Sequence, residues 1–117
     1  MSAYTQFDGV FHEVAGGYRY TASKDLEWRI GNAETGPLMT VPALYEHDVS
    51  IPFLLRGAFD RRDKRFQCAA RVHDWMLDCG FDRITAAGAF NSALAAYDVP
   101  FAKRFLMTFA VALYRFQ

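Results

Sequence analysis

Residues 66–79, Phe-Gln-Cys-Ala-Ala-Arg-Val-His-Asp-Trp-Met-Leu-Asp-Cys, constrain this chain more than any other stretch. The run reads as one helix, mostly apolar, with a His-Asp pair in its middle. A helix turns about 100° per residue, so His73 shares a face with Ala69, Ala70, Met76 and Leu77. That is the face a helix buries. A polar pair placed there needs partners or a task. Asp48 and Ser50, from a preceding loop, are the candidates to meet it.

The rest of the second half is also helical. The first helix is expected from about Asp63 to Cys79, stopping at Gly80. A second follows Asp82 and runs to about Tyr97; its many alanines (86, 87, 89, 93, 95 and 96) predict close helix–helix approach. A third follows Pro100 and runs to the end. Phe101, Phe105, Phe109 and Leu113 recur every fourth residue on it, an apolar ridge. Lys103 and Arg104 occupy its first turn, the unfavourable end of the helix dipole. Tertiary burial of the ridge is therefore expected to stabilise this helix.

The first half reads as strands. Residues 1–16 suggest an extended arm or short edge strand. Residues 18–22 (Tyr-Arg-Tyr-Thr-Ala) and 26–30 (Leu-Glu-Trp-Arg-Ile) alternate like strands, with Ser23-Lys24-Asp25 as a turn. The pair is expected to form a hairpin. Leu38-Met39-Thr40-Val41 is a third strand, stopped by Pro42. Residues 43–62 hold the site loop and a short helix, Phe53 to Arg56, ended by Gly57. Asp48 or Ser50 in a capping role before Pro52 is the plain reading of that loop. The expectation is one α+β domain over residues 1–117: a small N-terminal antiparallel sheet of about three strands (17–42) packed by three C-terminal helices (63–117).

Composition narrows the function classes. At 117 residues, 52% hydrophobic and 22% charged, the chain suits one folded core. Eleven phenylalanines point to an aromatic-rich core. The net charge is zero but uneven: −4 over residues 1–60 and +4 over residues 61–117. The basic run Arg61-Arg62-Asp63-Lys64-Arg65 is too short for a nucleic-acid surface, so no nucleic-acid partner is expected. Cys68 and Cys79 would lie about 16 Å apart along one helix, beyond a disulfide. No C-x-x-C pattern suggests structural zinc. No signal peptide and no membrane span are expected.

Three blocks resemble a family of small phage and prophage proteins of unknown function. Its pattern is V-P-x-G-F-x-T-D-x-A-S-x-P, then A-A-x-x-H-D-x-L-Y, then R-x-x-A-D-x-x-F. Residues 41–52 here are similar to the first block, 69–77 (Ala-Ala-Arg-Val-His-Asp-Trp-Met-Leu) to the second, and 83–90 to the third. Leu44, His47, Leu77 and Ala87 depart from the pattern. The last two replace polar groups of the family.

Two functions follow as expectations. The first is a bacteriophage-encoded interaction protein, a small virion or tail-associated component. The phage-encoded resemblance motivates it, with the two lost polar groups. An aromatic arm (Tyr4, Phe7, Phe11) and aromatic tail (Tyr114, Phe116) would dock other phage proteins or further copies. It would sit in the host cytoplasm during assembly and then in the virion. The second is a small hydrolase, metal-dependent or cell-wall-acting, in which His73 oriented by Asp74 and Asp48 serves as base and Ser50 as nucleophile. No cofactor is expected. A divalent metal, if held at all, would sit on His73, Asp74 and Asp48. Tyr45, His47 and Trp75 are candidate binding residues beside this centre. His12 and His47 are expected at the surface.

Overall fold

The structure, a computed structural model, describes residues 7–14, 19–30, 34–48 and 63–113. The chain order is strands, then helices: β1 (Phe11–Glu13), β2 (Arg19–Ala22), β3 (Leu26–Arg29), β4 (Leu38–Val41), β5 (His47–Asp48), α1 (Lys64–Asp78), α2 (Arg83–Ala96) and α3 (Phe101–Leu113). The α+β arrangement matches the expectation from sequence. The expected helix at residues 53–56, and Ser50 before it, lie outside the described residues.

The strands pair differently from the expected hairpin. β2 pairs with β1 and β5, both antiparallel, and β3 pairs with β4 in a second, two-stranded sheet. The segment between β2 and β3 has other obligations. Ser23 exchanges bonds with Val10, its N–H donating to the Val10 carbonyl and its hydroxyl accepting from the Val10 N–H. The Asp25 carboxylate accepts from the Ala43 N–H. These side chains hold the turn to distant chain rather than closing it on itself. The two-residue β5 sits in the stretch that shows no periodicity in the sequence, which is why pattern reading leaves it a loop.

The helices begin and end on readable signals. Asp63 caps α1 by accepting from the Arg65 N–H, and Asp82 caps α2 by accepting from the Thr85 N–H. Gly80, at φ 96°, lets the chain leave α1: the Phe81 N–H bonds back to the Met76 carbonyl and the Gly80 N–H to that of Leu77.

α2 is the central helix, packed between α1 and α3. It therefore buries residues around most of its circumference: Ala86, Ala87, Ala89, Phe90, Ala93, Leu94 and Ala96. The core continues from there through α1 to Tyr20, Leu26, Trp28 and Val41 on the strands. Phe7 and Phe11, expected to reach for a partner, instead lie against each other, 5.1 Å between ring centroids, and pack on this core. Tyr4, Tyr114 and Phe116 lie outside the described residues.

α3 overturns one expectation. Its buried stripe is Met107, Ala110 and Val111. The ridge Phe101, Phe105 and Phe109 faces outward, 68%, 57% and 56% exposed, with Leu106 half exposed beside it. The reason is the surface it meets. α3 packs on α2 and makes no comparable contact with α1 or the strands. The slim residues of α3 suit close approach to an alanine-rich helix, and three phenylalanines would hold it off. Asn91 of α2 fixes this orientation, its Oδ1 accepting from Arg104 Nε and Thr108 Oγ1. Among the described residues the phenylalanines of the core are therefore Phe7, Phe66 and Phe90, none of them on α3.

Candidate functional site

Four polar residues of α1, Gln67, Arg71, Asp74 and Asp78, recur at i, i+4, i+7 and i+11. That spacing places them in one stripe along the helix. Each reaches the same segment, residues 42–48.

Arg71 carries most of this interface. Its side chain is fully buried. Nη1 donates to the Tyr45 carbonyl at 2.8 Å and to His47 Nδ1 at 2.9 Å. Nη2 donates to the carbonyls of Pro42 and Ala43 at 2.6 and 3.0 Å. Among the described residues no carboxylate pairs with it, and Nε has no hydrogen-bond partner. Burial lowers its pKa to about 10, so the guanidinium stays charged at neutral pH. A buried cation held by carbonyl dipoles fits an irregular segment, whose main-chain oxygens are only partly used by backbone N–H groups: Pro42 accepts from Tyr45 and Ala43 from Ala22.

His47 is a correction to the sequence reading. It is fully buried rather than at the surface. Its backbone lies in β5 opposite Tyr20, whose ring stacks on the imidazole, and Phe11 meets it edge-on at 5.5 Å. Arg71 can only donate, so Nδ1 is the acceptor, and the ring proton sits on Nε2 and goes to Gln67 Oε1. Burial is the main cause that lowers the His47 pKa to about 4, with the Arg71 charge adding to it. The imidazole is neutral. His12, by contrast, is exposed.

The His73–Asp74 pair divides its work. Asp74 Oδ2 accepts from the Asp48 N–H at 2.7 Å, and Oδ1 lies 3.3 Å from His73 Nδ1. His73 itself is buried and packs edge-on against Phe90 of α2. The two side chains diverge, as neighbours on a helix must. Burial pushes the Asp74 carboxyl above the usual range, opposed by its bonds to His73 and the Asp48 backbone.

At the outer end of the stripe lies a cleft of about 320 Å³. Arg19, Tyr45, Glu46, Asp48, Asp74 and Asp78 line it, with Leu77 as an apolar wall. The Tyr45 hydroxyl donates to Asp78, and its ring meets Trp75 edge-on at 4.9 Å. Burial and then the Asp78 bond raise the Tyr45 pKa, so it remains a neutral donor. His73 does not line this cleft, and Ser50 lies outside the described residues. Thus Asp48 and Asp74 share one space and His73 does not. Among the described residues no three of His, Cys, Asp and Glu gather as a metal-holding group. Asp74 thus brings a carboxyl of raised pKa to the wall of an open cleft that Glu46, Asp48 and Asp78 also line. Both cysteines are free thiols; Cys68 is buried, its pKa raised to about 11 by burial, and Cys79 is exposed.

The family profile described as "Protein of unknown function (DUF1353)" matches residues 21–111. The chain belongs to this family. The matched region runs from β2 into α3, so the DUF1353 portion contains the whole α1 stripe and the segment it holds. No curated protein and no solved structure matches the chain.

Gln67 and Arg71 were not among the candidates from sequence. Their signal was present in the i, i+4, i+7, i+11 spacing, but a polar stripe on a helix reads first as its solvent face. Only the Arg inside an otherwise apolar run, between Ala70 and Val72, marks it as something else.

Proposed function

We propose that the chain is a bacteriophage-encoded interaction protein, a small component of the virion or its tail. The observation that carries this reading is the ladder of exposed phenylalanines on α3, a continuous apolar face of the kind that marks protein contact sites. The α1 stripe supports it, because Gln67, Arg71 and Asp74 are engaged in holding residues 42–48 in place. The phage assignment rests on the resemblance at residues 69–77. Other phage proteins are the partners in this reading, with the host cytoplasm during assembly and then the particle as its location; no helix among the described residues is long and apolar enough to cross a membrane. Mass spectrometry of purified particles tests it. The expected result is this chain at a fixed copy number that survives extensive purification. Its absence from the particle overturns the reading.

A hydrolase is the second reading, and the cleft favours it. Asp48 and Asp74 open onto a space large enough for a substrate group, with Asp74 placed to supply a proton. A thermal-melt series separates the readings. If the centre is structural, His73→Ala lowers stability by about 1–3 kcal/mol, the range for orphaning a buried polar partner, and a chelator changes nothing. If the chelator lowers the melting temperature of the native protein and His73→Ala removes that sensitivity, a metal-dependent hydrolase moves ahead. Stability that is unchanged in His73→Ala, with no chelator effect, favours a metal-free catalytic centre.

A further inference from the structure

We draw no further inference here: the strongest candidate, the cleft at the outer end of the α1 stripe lined by Arg19, Tyr45, Glu46, Asp48, Asp74 and Asp78, belongs to the site already described, and nothing in the structure besides its carboxylates points to what it would bind.

Discussion

Replacing Arg71 with Ala should lower the unfolding free energy by about 3–5 kcal/mol, the scale for breaking a buried charged network. The guanidinium satisfies the carbonyls of Pro42, Ala43 and Tyr45 and the Nδ1 of His47. Truncation leaves the Tyr45 carbonyl and His47 Nδ1 without this donor, takes one of two donors from the Pro42 and Ala43 carbonyls, which also accept from the Tyr45 and Ala22 N–H groups, and empties the space the side chain filled. Arg71→Met, which keeps most of the volume, should recover only the packing part. Arg71→Lys should fall between them, because one ammonium cannot reproduce a planar fork that holds two carbonyls on one nitrogen and a carbonyl and an imidazole nitrogen on the other. Urea unfolding of the three variants measures the series. A loss below about 1 kcal/mol for Arg71→Ala would show that the 42–48 segment is held by something else.

Acid should unfold the protein through His47. Its folded pKa is about 4, against an ordinary 6.5. Below pH 6.5 the unfolded chain takes up a proton that the folded chain refuses. Stability is therefore complete above pH 6.5 and falls as the pH drops toward 4, by about 3 kcal/mol at 1.4 kcal/mol per unit. Arg71 and Gln67 face the ring from α1, and Asp48 lies beside it in β5. Asp74 works in the opposite sense. Its raised pKa means that the folded chain binds a proton more readily than the unfolded one, which stabilises the fold as the pH falls toward the ordinary carboxylate range. Comparing the native protein with His47→Gln isolates the histidine. The native protein should lose stability more steeply between pH 7 and 4.5, and its His47 ring resonance should not titrate above pH 5. Parallel slopes for the two proteins would refute the assignment.

Helix boundaries were legible because they depend on local chemistry. Asp63, Asp82, Gly80 and Pro100 act within one turn of themselves, and each marks a helix end. The face of α1 that bears His73 was legible for the same reason. Strand partnership was not, because β2 chooses between β3, four residues on, and β5, some 25 residues on, by contacts that Ser23 and Asp25 make elsewhere. α3 was misread because it carries two apolar stripes, and sequence ranks them by bulk. The choice belongs to α2, whose alanines accept the slimmer one. The candidate site was half legible. Asp48 and Asp74 do meet, but through a backbone N–H, while His47 changes from a surface residue to a buried one through Gln67 and Arg71.

Arg71 lies 24 to 29 positions downstream of the groups it holds. During synthesis, at 5–20 residues per second, Pro42 is made roughly one to six seconds before its donor exists. For that interval the Pro42 and Ala43 carbonyls have only the Tyr45 and Ala22 N–H groups as partners within the chain, and the Tyr45 carbonyl is left to water. The β2–β5 ladder is short, with two residue pairs, and cannot close the segment by itself. The N-terminal half therefore completes the hydrogen bonding of residues 42–48 only once α1 has emerged.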